Sequence, residues 1–268
     1  EDEATRLVAA AANGETASGL TRRGAALKRQ GKDIPDSEIA WSLTGEDRAM
    51  LYRFALETAL RSGTIARLTV RDFELAGDEP LVCVGGSVAT KERAARTIPL
   101  RRETAALLAE RFASKLPNAS AFPMPPLNRL ATLLRDDLEA ARAAWVTEAR
   151  TPEAKAERAE SDFLTASDAC GRRVDFHALR DTAATWLVRR GVPLASVALI
   201  TGHRNIATLE KHYLRLDERD ARAAINLGRN VELPAARLTR TDEAANHVAG
   251  ALCHYSPSVG PLVHHKRS

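Results

Sequence analysis

The reactive side chains of this chain form a series of cations closed by one tyrosine: Arg61, Lys91, His177, Arg180, His203 and Tyr213. Guanidinium is planar, permanently charged and bidentate toward phosphate and carboxylate oxygens. Imidazole donates hydrogen bonds and moves protons near neutral pH. A lysine ammonium can protonate a leaving oxygen. A phenol, with an ordinary pKa of about 10, is mostly neutral at pH 7 and needs nearby cations or a base before it attacks anything. Singly, each residue also has a plain structural reading. Arg61 and Arg180 could be surface arginines and Lys91 a solvated loop lysine. His177 and His203 could be helix-end and turn histidines, and Tyr213 a half-buried core tyrosine. Together they describe a cationic site for an anion with a tyrosine in reach.

Other chemistries have no foothold. There is no Gly-rich phosphate loop followed by Lys-Ser/Thr, no GxGxxG, no HExxH, no GxSxG elbow and no acidic cluster of the two-metal kind. His264-His265 reads as a solvated pair in the tail. No cofactor and no metal is therefore expected. Cys83, Cys170 and Cys253 are too far apart, and odd in number, for a disulfide framework or a zinc knuckle. With no run of about 18 apolar residues and an acidic start rather than a signal peptide, the expected setting is cytoplasmic, with no membrane partner. The chain lacks an initial Met, as a fragment would.

The 268 residues carry a formal net charge of +4. It is unevenly spread: residues 171–230 hold eleven Lys/Arg against six Asp/Glu, and residues 145–170 hold three against six. Positive charge gathers in the segment that holds four of the six candidates, which suits a nucleic-acid partner without requiring one.

Positioning such a set takes helices and a small sheet. Helical patterns run over 4–12, 46–60 (Thr44 and Asp47 spaced as a capping box), 64–68, 101–115, 127–149, 177–190, 193–200, 208–214 and 218–227. Strand-like text covers 69–73, 81–84 and 95–98, the last two flanking a polar stretch as in an antiparallel hairpin. Residues 14–43 read as loop, 151–162 as a solvated charged helix or excursion, and the periodicity fades after Pro234. The expected fold class is α+β, mainly α: a helical bundle with a small antiparallel sheet. The expected division is a leading helix and loop (1–43), a main domain (44–230) and a poorly ordered C-terminal tail (231–268).

The motifs, taken in order, resemble the catalytic domain of the tyrosine recombinases, the phage integrase family. Thr58-Ala59-Leu60-Arg61, with Leu68-Thr69 and Asp72-Phe73, resembles the family's first box. Lys91, five residues before Arg96-Thr97-Ile98-Pro99-Leu100, resembles its catalytic Lys ahead of an R-x-[IV]-P-L strand. His177-Ala178-Leu179-Arg180-Asp181-Thr182-Ala183-Ala184-Thr185 resembles H-x-L-R-H-T-x-A-T, and Gly191-Val192 and Ile200-Thr201-Gly202-His203 resemble the signatures that follow. Tyr213 falls ten residues after His203, where the family places its nucleophile. Three departures stand out. Thr64 replaces the acid three residues after the first Arg, Asp181 replaces the His after the second, and the residues ahead of the first box are too few for the family's N-terminal DNA-clamping domain.

The resemblance implies site-specific cleavage and rejoining of double-stranded DNA through a 3′-phosphotyrosine, for integration or excision of a mobile element. Arg61 and Arg180 would clamp the non-bridging oxygens, His177 and His203 would add hydrogen bonds, with His177 taking the proton from the attacking oxygen, Tyr213 would attack and Lys91 would protonate the leaving 5′ oxygen. The linkage conserves the bond energy, so neither ATP nor metal is implied. A homotetramer on DNA is implied, at the bacterial nucleoid when active. The alternative is a DNA-binding relative of the integrases that has lost catalysis; an unrelated helical regulator is the third reading.

Overall fold

Thr44 and Asp47 start the central helix of the fold as their spacing predicts. The Thr44 hydroxyl accepts from the Asp47 N–H at 3.1 Å, and the Asp47 carboxylate accepts from the Thr44 N–H at 3.2 Å. This reciprocal cap satisfies two of the donors that a helix start leaves open. Helix α3 then runs over Gly45–Thr58. The computed structural model describes residues 2–85, 95–167, 171, 173–202 and 209, all within one unit, Glu1–Arg215. In chain order the other helices are α1 (Asp2–Asn13), α2 (Arg22–Arg29), α4 (Ser62–Ile65), α5 (Arg102–Phe112), α6 (Leu127–Thr147), α7 (Pro152–Glu160), α8 (His177–Arg189) and α9 (Leu194–Thr201). The strands are β1 (Ala17–Leu20), β2 (Ile39–Leu43), β3 (Phe73–Glu74), β4 (Leu81–Val84) and β5 (Arg96–Pro99).

Helix α3 is buried on most of its circumference, through Met50, Leu51, Tyr52, Phe54 and Ala55, as befits a helix wrapped by others. Helix α1 packs on α3 and α6, α8 packs on α3, and α9 packs on α8. The core joins Leu7 and Ala11 of α1, Leu130 and Leu134 of α6, and Leu179 of α8 to these residues. At the start of α3 the approach of α1 is so close that a Cβ on Gly45 would stand 2.4 Å from the Gly14 carbonyl oxygen. Only glycine fits there. Strands β3, β4 and β5 form an antiparallel sheet in that order. Val82 faces Ile98 across β4 and β5, and both side chains enter the core. The mainly helical α+β class, with small antiparallel sheets, is as the sequence predicts.

Three local expectations are corrected. Residues 14–43 are not loop: β1 pairs antiparallel with β2, and Thr21 caps α2 by accepting from the Gly24 N–H at 3.0 Å. The strand expected at 69–73 is mostly a 3-10 turn, Val70–Asp72. Asp72 reaches back to the Thr69 N–H at 2.7 Å and bends the chain before β3 can pair. The helix expected at 64–68 starts earlier, as the single turn α4, because Arg61 already acts as its N-cap. The charged run does form a solvated helix, α7, with no buried residue. Arg142 of α6 holds its end, donating to the carbonyls of Ala159 at 2.8 Å and Ser161 at 2.5 Å. The helices expected at 208–214 and 218–227, and the tail, lie outside the described residues.

Candidate active site

Of the six residues singled out in the sequence, Arg61, His177 and Arg180 are described, and Lys91, His203 and Tyr213 lie outside the described residues. Arg180 reaches the end of α3, two residues before Arg61, and His177 lies one turn before Arg180 on α8. Ala59 closes α3 in the left-handed conformation, φ 52°, and is fully buried. For an L-residue that conformation costs about 1–2 kcal/mol, so the surrounding structure must hold it. The reversal drives Leu60 into the core and sets Arg61, half-buried, at the start of α4. The Arg61 carbonyl accepts from the Thr64 and Ile65 N–H groups at 2.8 and 3.0 Å. Thr64, the residue standing where an acid was expected, is buried.

Helix α8 approaches the same turn. Its inward face carries Leu179, Arg180, Ala183 and Ala184. Arg180 is only 1% exposed, and its Nη1 donates to the Ala59 carbonyl at 2.5 Å. A guanidinium is costly to remove from water, so Arg180 is no surface arginine. It sits two residues along the backbone from Arg61, although 119 residues separate them in sequence. His177, one helical turn before Arg180, opens α8. Its backbone N–H donates to Asp175 Oδ1 at 2.8 Å. Its side chain is about half exposed, with Nε2 3.6 Å from the Asp181 carboxylate one turn on. The end of α3 thus holds a buried guanidinium on the Ala59 carbonyl, with a half-buried arginine two residues on in the chain and a half-exposed imidazole one turn before it on α8. Such a layout suits binding of a polyanionic oxygen cluster.

Two residues outside the predicted set carry polar chemistry of their own, one against the end of α9 and one inside α3. Arg96, read in sequence only as part of the strand motif, reaches from β5 to the end of α9, with Nη2 3.5 Å from the Thr201 carbonyl. The signal available in sequence was the motif itself; the partner, 105 residues away, was not readable. Tyr52 is the other. It is buried and donates to Asp137 Oδ2 at 2.7 Å. Burial first, and then the Asp137 charge, hold its phenol well above the ordinary range, and at 1% exposure it is closed to any substrate. A cavity lined by Asp47, Arg111, Lys115 and Phe122 opens at the far end of α3. Its cations are engaged there, Arg111 with Asp47 and Lys115 with the Ala121 carbonyl, so it is not part of this corner. Among the described residues, no group of three or more His, Cys, Asp or Glu is placed to hold a metal ion, and no helix is long and apolar enough to cross a membrane.

Residues 36–220 match the model of the phage integrase family. No curated protein matches the chain. Among solved structures, the XerA recombinase aligns at 18% identity over 84% of this chain and 62% of its own, with a TM-score of 0.48. The XerH site-specific recombinase, in a pre-cleavage complex with difH substrate, aligns at 15% identity over 85% of this chain and 53% of its own, with a TM-score of 0.49. The catalytic domain of bacteriophage HP1 integrase aligns at 17% identity over 85% of this chain and 92% of its own, with a TM-score of 0.44. The chain spans less than two thirds of the length of the two Xer recombinases.

Proposed function

The chain belongs to the phage integrase family, and from that premise we propose that it is a tyrosine recombinase that cleaves and rejoins double-stranded DNA. The observation that carries this reading is the seat of Arg180, buried on the Ala59 carbonyl two residues before Arg61, with His177 one turn before it on α8.

The chemistry asked of these residues is balanced. The Tyr213 oxygen attacks the scissile phosphorus and passes its proton to His177, while the bond from phosphorus to the 5′ oxygen breaks. Lys91 supplies the proton that this leaving oxygen takes up. One phosphoester replaces another, and a 5′ hydroxyl attacking the 3′-phosphotyrosine reverses the step. Negative charge builds on the non-bridging oxygens between the two states. Arg61 and Arg180 oppose it, and His177 and His203 donate hydrogen bonds to it. Donors of this kind contribute about 2.7–4 kcal/mol each. Asp181, 3.6 Å from the imidazole, orients His177. The domain that does this spans 44–230 and works as a homotetramer on DNA, integrating or excising a mobile element.

The test is covalent trapping. The protein is incubated with nicked suicide duplexes taken from the flanks of its own gene, denatured in SDS and examined for a protein–DNA adduct. The expected result is an adduct that disappears in Tyr213→Phe. DNA binding with no adduct would instead identify a catalytically inactive relative, the reading that buried Thr64 in the place of an acid favours.

A further inference from the structure

We infer that Arg96 is a positioning residue that locks the strand following Lys91 to the turn preceding His203; the inference rests on the function proposed above. Arg96 opens β5 opposite Val84 of β4, five residues after Lys91 in the chain. Its side chain crosses to the end of α9 and lies against Gly202. A Cβ built on Gly202 would stand 1.5 Å from Arg96 Nη1 and 2.5 Å from its Cζ. The guanidinium therefore occupies the volume that any other residue at 202 would fill. Its Nε is buried, and its Nη2 faces the Thr201 carbonyl at 3.5 Å.

The end of α9 is built to receive this group. Gly202 adopts φ +70° and turns the chain out of the helix, with its N–H on the Ala198 carbonyl at 2.7 Å. The carbonyls of a last helical turn form the negative end of the helix dipole, which favours a cation there. Thr201 is fully buried, and its hydroxyl donates to the Val197 carbonyl at 2.7 Å. Behind it Val197 and Ala198 pack with Ala184 of α8, the helix that carries His177 and Arg180. Glycine at 202 thus answers two demands at once: a left-handed backbone and room for a flat cation. The residue after Gly202 is His203. Arg96 thereby joins β5, which begins five residues after Lys91, to the α9 turn, which ends one residue before His203, and through α9 to α8, which carries His177 and Arg180.

Lysine cannot replace this fit, because an ammonium neither covers the glycine face nor presents parallel donors. The test compares Arg96→Met and Arg96→Lys in the full chain with three readouts. Hydrogen–deuterium exchange on the free protein is expected to rise in Arg96→Met about tenfold at residues 199–204, with α1 and α3 unchanged. The single-turnover rate of adduct formation at saturating DNA is expected to fall by up to about 100-fold, the size of effect that misplacing groups by about 1 Å produces. The DNA dissociation constant is expected to move by less than about threefold, with part of the rate returning in Arg96→Lys, because a displaced turn harms chemistry more than binding. Unchanged exchange in Arg96→Met would overturn the inference. So would a rate loss explained wholly by weaker DNA binding, which would make Arg96 a simple phosphate contact. Gly202→Ala guards against a variant that fails to fold. Its cost is expected to shrink in an Arg96→Ala background, where the new methyl no longer meets the guanidinium, and strict additivity would also overturn the inference. If the unaltered protein forms no Tyr213-dependent adduct, the function proposed above fails, and the exchange measurement still decides whether Arg96 anchors the turn.

Discussion

Helix α3 has a buried arginine at each end, and the two are treated differently. At its start Arg48 donates from Nε and Nη2 to the two oxygens of Asp137, at 2.9 and 3.1 Å, and from Nη1 to the Glu15 carbonyl at 2.9 Å. Tyr52 closes the same carboxylate from its other side. The Arg48 and Asp137 side chains are 5% and 7% exposed, so nothing from solvent competes for them. At the end of α3 Arg180 is buried as deeply, but its neighbours in the chain are a half-buried Arg61 beyond the Ala59 carbonyl it holds and a half-exposed His177 one turn before it. The first end is a closed internal joint; the second is a floor with an opening. Burial of charge alone therefore does not mark a site in this molecule. The second end differs in that groups next to its buried cation, Arg61 and His177, are still open to solvent.

The closed end should fail as structure. Asp137→Ala strands a buried guanidinium and is expected to lower stability by about 3–5 kcal/mol in urea unfolding, the usual result of breaking a buried ion pair. Arg48→Met with Asp137→Leu should cost far less, since replacing both partners by apolar groups removes the stranded charge. A cost below about 1 kcal/mol for Asp137→Ala would break the comparison. The open end should fail as chemistry. Arg180→Lys keeps a positive charge but loses the bidentate fork. Its adduct formation is expected to drop by about 10²–10³-fold, with a much smaller change in unfolding free energy. Equal losses in both measurements would make Arg180 a second structural joint.

Finer differences between the two ends are also measurable. Burial would raise the Asp47 carboxyl, but hydrogen bonds from Thr44 and Arg111 outweigh it and hold Asp47 below its ordinary range. A depressed carboxyl stabilises the fold above the unfolded value of about 3.9 and loses that contribution as pH falls through the folded value. Asp47→Ala should accordingly cost about 1 kcal/mol near neutral pH, and the gap from the unaltered protein should narrow in urea titrations below about pH 4. At the other end, Ala59→Gly relieves a backbone cost of about 1–2 kcal/mol. It also gives up a buried methyl worth about 0.8 kcal/mol and loosens the unfolded chain by about 0.4–1 kcal/mol. The net change in thermal unfolding is expected to stay within about 1 kcal/mol.

What the sequence made legible depended on distance along the chain. The Thr44–Asp47 cap, the buried stripe of α3 and the His177–Arg180 spacing are all set by neighbours within a few residues, and all were readable. The β1–β2 pair escaped because Gly19 and Trp41 are partners only in space, and neither segment alternates clearly enough to announce a strand. The Thr69–Asp72 turn was local, but it was hidden by β-branched residues that suit a strand equally well. Arg48 with Asp137, and Arg96 with Gly202, were invisible for a different reason. A lone arginine looks the same in sequence whether it meets water, a carboxylate or a glycine. Motif order pointed to Arg61, His177 and Arg180 together, but the left-handed Ala59 that seats Arg180 carries no sequence mark, since left-handed positions usually announce themselves by glycine.

The reach of Arg180 back to Ala59 spans 121 residues, and that span sets a time as well as a place. At typical synthesis rates of 5–20 residues per second, about 6–24 s separate the two residues on a ribosome. Throughout that interval the α3 corner lacks its floor. A nascent chain can expose Arg61 to nucleic acid, but it holds no clamp, and Tyr213 has yet to be made. Ribosome-stalled chains ending near residue 170 should therefore be cut by protease around residues 59–61, whereas released chains resist. Under the function proposed above, DNA cleavage would belong to the finished protein alone.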